Sequence, residues 1–125
     1  MTAWASEELD KIEAADELQL ASLRRDGSLR NRVTIWVVRL DDDLYVRSVK
    51  GRSSTWFRGT QVLREGRIQA GGVESDVTFV EADETVAGRV DDMYRTKYRR
   101  YAASIVDHTV TPEARAATLK LVPRS

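Results

Sequence analysis

The run Arg32–Leu40, RVTIWVVRL, most constrains what this chain can fold into. Almost all of it is β-branched, aromatic or aliphatic, a composition that suits a strand buried on both faces for much of its length. It falls far short of the roughly 20 apolar residues a membrane span requires. Asp41, Asp42 and Asp43 follow as a tight acidic turn, and Leu44 to Lys50 then alternates apolar and polar residues, so the two segments read as a hairpin. Residues 17–24 and 67–71 read as strands, as does 73–80, which alternates Val73, Ser75, Val77 and Phe79 with Glu74, Asp76, Thr78 and Val80. Ala117 to Pro123 closes the set at six, and Asp26-Gly27 is a hairpin turn signal.

Helices fall between these strands. Ser6, with Glu7, Glu8 and Asp10 in the first turn, opens a helix over about 6–15. Trp56, Thr60 and Leu63 share one face of a second, which Gly66 ends. Asp83 caps a longer one over about 84–102, and Thr111-Pro112-Glu113 opens a short one. Antiparallel strands with interspersed helices argue an α+β class, and six strands with apolar inner faces suit a small barrel.

Composition narrows the function. The 125 residues suffice for a single domain, 1–125, with its own core. No cysteine is present, which removes disulfides and thiolate chemistry, and the single histidine, His108, leaves no multi-histidine metal site, so no metal centre is expected. The acidic N-terminus lacks a signal-peptide layout, and a cytoplasmic, non-membrane protein is expected. Net charge is zero but uneven: −5 over residues 1–20, +6 over 21–72 and −1 over 73–125. A basic middle in a neutral chain of pI near 6.6 suggests a local anion site and argues against a nucleic-acid partner.

The loop Lys50-Gly51-Arg52-Ser53-Ser54 concentrates that character. It leaves a strand, offers two cations and two hydroxyls, and enters a helix N-terminus, where free backbone N–H groups and the helix dipole favour a phosphate. Ordinary serine capping explains the same residues, and spacing alone leaves both readings open. Arg32 is a second cation able to converge there, while Arg24 and Arg30 read as exposed hairpin residues. Trp56 and Phe57 read as packing residues, with stacking on a flavin as the alternative for Trp56. Tyr94, Tyr98 and Tyr101 form a packing stripe, with Tyr98 at a cavity rim. His108 reads as a surface or capping residue, and the pairs Asp83-Glu84 and Asp91-Asp92 as solvated helix surface.

Three segments carry a family resemblance: RDGSLRNRVTIWVVRLDDDLYVRSVKGRSSTWFRG (25–59), DVTFVEA (76–82), and YRTKYRRYAASIV with TPEARAATLKLVPR (94–106 and 111–124). Together they resemble domain-of-unknown-function family 2255, which is similar to the flavin-binding split barrels, among them deazaflavin-dependent nitroreductases and pyridoxamine-phosphate oxidases. The broader likeness rests on Gly27-Ser28-Leu29-Arg30 and on Trp56-Phe57. It implies an α+β, six-stranded, mostly antiparallel split β-barrel with peripheral helices, binding FMN or the deazaflavin coenzyme F-420. It implies a cofactor site at Arg32, Ser48, Lys50, Gly51, Arg52, Ser53, Ser54 and Trp56, with backbone of Val33, Thr34, Arg47 and Val49 along the ring edge. Gly59 stands where the nitroreductases carry an asparagine, and no catalytic residue is evident. The expectation is a homodimeric flavin- or deazaflavin-dependent oxidoreductase; the alternative is a non-enzymatic ligand-binding or dimerising module on the same fold.

Overall fold

The computed structural model describes residues 3–124. Helix α1 (Ser6–Ala14) precedes strand β1 (Leu18–Ser22), and β2 (Val33–Ile35), β3 (Val38–Leu40) and β4 (Asp43–Arg47) follow. A 3₁₀ turn (Gly51–Ser53) leads into α2 (Thr55–Leu63), then β5 (Glu65–Ala70) and β6 (Val73–Glu81). A second 3₁₀ turn (Glu84–Val86), α3 (Ala87–Lys97), α4 (Ala103–Asp107), α5 (Pro112–Ala116) and β7 (Thr118–Pro123) complete the chain.

All seven strands join one antiparallel sheet in the order β2-β1-β5-β6-β7-β4-β3. The α+β class holds, but the strand count is seven rather than six. The run read as one strand over 32–40 is two, β2 and β3, and these lie at opposite edges of the sheet. Only Trp36 and Val37 connect them. Ile35 and Val38 are three steps apart, a reach of at most about 11 Å, so the edges must approach each other and the sheet curls into a partly closed barrel.

The break leaves Val37 without a strand partner in a buried place, and distant residues satisfy it. Its N–H donates to the Tyr98 hydroxyl at 3.1 Å, and its carbonyl accepts from Lys97 Nζ at 2.7 Å. The Tyr98 hydroxyl donates to the Asp16 carbonyl at 2.7 Å, and its ring stacks on Trp36 with centroids 3.8 Å apart. Tyr98 is thus fully buried rather than at a cavity rim.

One apolar cluster fills the barrel, including Leu18, Leu20, Leu44, Ile68, Phe79 and Leu121, with Phe57 of α2 and Leu9 and Ile12 of α1 packed against it. A second joins Val38, Leu40 and Tyr45 to Val90, Tyr94 and Tyr98 under α3. The long helix expected over 84–102 is divided, because α3 ends at Lys97 and a turn precedes α4. Helix α2 stops at Arg64, in left-handed conformation at φ 59°, not at Gly66. Gly66 instead lies in β5, where a Cβ would stand 2.2 Å from the Ala21 carbonyl oxygen.

Candidate functional site

A cleft of about 760 Å³ opens between β1, β2 and the segment from β4 into α2. Leu20, Val33, Ile35, Val49 and Trp56 supply apolar walls. Ser48, Ser53 and Ser54 supply hydroxyls, and Arg24, Arg30 and Lys50 supply charge.

The polar end is built around the start of α2. Ser54 is the N-cap: its Oγ accepts from the Phe57 N–H at 3.4 Å and lies 2.7 Å from the buried Ser48 Oγ. The cap leaves the N–H groups of Thr55 and Trp56, the first two helical positions, with no intrahelical acceptor. Both residues line the cleft. Capping and an exposed helix N-terminus therefore coexist in one loop.

Of the cations the sequence singled out, only Lys50 reaches the cleft. Ser48, Lys50, Ser53, Ser54 and Trp56 line the cleft, whereas Arg32, Gly51 and Arg52 do not. Arg32 donates to the Gln69 side chain at 3.2 Å. Gly51 takes φ 79° in the turn and packs against Glu113 of α5. Arg52 grips Glu81 with both terminal nitrogens, at 2.5 and 2.9 Å, donates to the Ala116 carbonyl and lies over the Phe57 ring. That hydrogen-bonded pair also holds the Glu81 carboxyl below its ordinary pKa.

Arg24 and Arg30, read as exposed hairpin residues, take their place. Nine arginines hold a carboxylate within 4 Å. Among the described residues, Arg24, Arg30 and Lys50 hold none, and no acidic side chain lines the cleft. Arg24 is steered by the Ser28 hydroxyl and the Leu29 carbonyl. The Arg30 Nε is buried with no hydrogen-bond partner. Gly59 makes room for it, since a Cβ there would lie 2.7 Å from Ser22 Oγ and 3.0 Å from Arg30 Cδ.

A second pocket, of about 340 Å³, adjoins the cleft and shares Thr34, Ile35, Val49 and Trp56 with it. Trp36, Arg47, Tyr94, Ile105, His108 and Thr109 complete its lining. Arg47, whose side chain is fully buried, ties the sheet to the helices around it. It donates to Asp91 of α3 at 2.5 Å, to the Thr109 and Ala87 carbonyls at 2.8 and 3.1 Å, and to the Thr118 hydroxyl at 2.9 Å. Asp91, read from sequence as solvated, is a buried ion-pair partner that Arg115 also engages. Burial alone would raise its pKa, but the hydrogen bonds and charges of Arg115 and Arg47 outweigh that and hold it below the ordinary carboxylate range.

Among the described residues no cluster of three or more histidine, cysteine or acidic side chains could hold a metal ion, and no helix is long and apolar enough to cross a membrane. The cleft sets cationic side chains, hydroxyls and a helix N-terminus beside an apolar wall.

Comparisons with known proteins agree on the fold. Residues 8–121 match DUF2255, described as an uncharacterized protein conserved in bacteria. None of the curated proteins matches the sequence. Among solved structures, the haem storage protein HutZ of Vibrio cholerae aligns with TM-score 0.67 and 16% identity, over 95% of this chain and 89% of its own. An FAD-binding protein of Mesorhizobium loti aligns with TM-score 0.56 and 15% identity, over 98% and 92%. A protein described as an F420 reductase aligns with TM-score 0.55 and 14% identity, over 92% and 90%. At these identities the likeness establishes the fold.

Proposed function

The chain belongs to the DUF2255 family, and from that premise we propose that it binds FMN or the deazaflavin coenzyme F-420 in the cleft and serves as a small oxidoreductase. The observation that carries the reading is one cleft lined both by Lys50, Arg30 and Arg24, without a carboxylate among them, and by the first residues of α2. A phosphate there would receive backbone N–H groups of Thr55 and Trp56, the Ser53 hydroxyl and three cationic side chains. The ring would lie on the apolar wall of Val33, Ile35, Val49 and Trp56. Structures of the same fold described as FAD-binding and as an F420 reductase support the ligand class.

When bound, such a cofactor supplies hydride chemistry, which suits a chain without cysteine. The protein's own residues hold the phosphate, orient the ring and exclude water from one of its faces. Half-exposed Val49 and Ile105 stand beside the site, and we assign them to contact with a second copy of the chain. Light scattering at twice the 14.1 kDa chain mass is the expected result, and a monomer would overturn that assignment.

A binding protein without catalysis is the second reading, favoured by Gly59: the position that carries an asparagine in the nitroreductases instead admits Arg30. Titration with FMN, F-420 and haem, followed by a turnover assay with the reduced cofactor, separates the two. Saturable binding with substrate-dependent reoxidation supports the enzyme. Binding without reoxidation supports the carrier, and no binding of a flavin or deazaflavin overturns the cofactor reading.

A further inference from the structure

Helix α2 carries a face that the cleft leaves largely unused. Thr55, Arg58, Gly59 and Val62 stand at i, i+3, i+4 and i+7, and together with Arg30 they line a shallow cavity of about 310 Å³. Arg30 and Thr55 line the cleft as well, so the two cavities adjoin along them.

Gly59 sets Arg30 in that place. A Cβ there would come within 3.0 Å of Arg30 Cδ and 3.1 Å of its Nε, so the arginine side chain lies against the helix where the helix has no side chain of its own. The Arg30 backbone N–H donates to the Ser22 carbonyl at 2.9 Å, which fixes where the side chain departs. Its Nε is buried, which leaves the terminal nitrogens as the donors of the guanidinium.

Arg58 is exposed on the same helix face. Nine arginines hold a carboxylate within 4 Å, and among the described residues Arg30 and Arg58 hold none. No acidic side chain lines the cavity, in a chain with as many acidic as basic residues. Two guanidinium groups on one small cavity repel each other unless an anion lies between them, and their planar forks suit an oxyanion. Val62 alone contributes apolar side-chain surface beyond the aliphatic stems, too little to seat a ring.

We propose that this cavity is a second oxyanion subsite, which takes a phosphoryl group between Arg30 and Arg58 with the Thr55 hydroxyl as a further donor. The group arrives as free phosphate or as the second phosphate of a ligand whose first lies in the cleft. Only the second source rests on the cofactor reading above.

The test titrates the ¹⁵N-labelled full chain, without added flavin, with orthophosphate and separately with pyrophosphate at pH 8, ionic strength being held constant with sodium chloride. Orthophosphate should shift the Arg58, Gly59 and Val62 amides saturably. Arg58→Ala should weaken that response at least fivefold, and Arg58→Lys should recover part of it. The Lys50 and Ser53 amides, which report on the cleft, should respond within about twofold of wild type in both variants. Exposed Arg58 makes no contact on which folding depends, so both variants remain testable. Pyrophosphate separates the sources. Binding at least tenfold tighter than orthophosphate, with both sets of amides moving along one curve, marks a ligand that spans the two cavities, whereas separate curves mark a free ion. Absence of a saturable shift at Arg58, Gly59 and Val62, or a response that Arg58→Ala weakens less than twofold, would overturn the proposal. Loss of the Lys50 and Ser53 response alone removes the phosphate cradle of the cleft and leaves this subsite standing.

Discussion

Asp91→Asn probes the joint on which the second pocket is built. In the wild type the Arg47 guanidinium is wholly inaccessible and its charge is met by Asp91 at 2.5 Å. The substitution keeps the shape and one acceptor but leaves a buried cation uncompensated, with Arg115 still beside it. Breaking a buried pair from one side costs about 3–5 kcal/mol, a large part of the roughly 5–15 kcal/mol that holds a domain folded. For a chain of this size, about 3–6 °C per kcal/mol gives a loss of roughly 10–30 °C in Tm. Calorimetry and urea melts at pH 7 read it directly, and added salt should restore little because the pair is shielded from solvent ions. The sign with pH is fixed by the depressed pKa. The Asp91 contribution is fully present above the unfolded value of about 3.9 and is lost as pH falls through the lower folded value, so the gap between wild type and variant narrows in acid. The double variant Arg47→Met, Asp91→Leu should recover most of the loss, since apolar replacement of both partners removes the uncompensated charge. A single-variant cost below about 1 kcal/mol, or a double variant worse than the single, would refute the view of Arg47 as a buried, fully engaged clamp.

Other consequences follow from particular contacts. Tyr94→Phe removes an unsatisfied buried hydroxyl and should raise stability by about 1 kcal/mol in a urea melt, so an equal loss would mean the hydroxyl has a protein partner. Burial pushes the Lys97 ammonium down to about 8. The unfolded chain therefore holds more protons between that value and the ordinary lysine range, and wild-type stability relative to Lys97→Met should rise with pH from about 8 to 10. A flat difference across that window would contradict the burial of Nζ. Gly66→Ala should cost about 3 kcal/mol or prevent folding, because the added methyl meets the backbone of β1; a neutral result would show that β1 and β5 lie farther apart.

How much of this was legible in sequence depends on how local the cause is. The loop Lys50–Ser54 could be read in advance because a strand end, two serines and a helix start follow one another in the chain, and Ser54 caps that helix. The cations could not be assigned the same way. Arg52 is claimed by Glu81, 29 residues away, and Arg30 reaches the cleft through space left by Gly59. The break between β2 and β3 has no glycine or proline to announce it. Barrel closure imposes it, and Tyr98, 61 residues on, satisfies the freed backbone. Asp91 looked like helix surface because Arg47, its partner, lies 44 residues earlier on a strand. The seventh strand and the second pocket both arise from such distant pairings. The antiparallel, helix-decorated sheet does not, because alternation and turn residues mark each segment where it stands.

The central claim is that the cleft is a phosphate cradle beside a ring-binding wall, and paired titration with FMN and riboflavin tests it most directly. The two ligands share a ring and differ in the phosphate. Wild-type protein should bind FMN at least tenfold more tightly, about 1.4 kcal/mol, with a preference that falls as salt rises. Lys50→Ala with Arg30→Ala should abolish the preference and leave riboflavin affinity within about twofold, while Arg32→Ala with Arg52→Ala should preserve it. Equal affinity for the two ligands in the wild type, or a preference that survives loss of Lys50 and Arg30, would contradict the account.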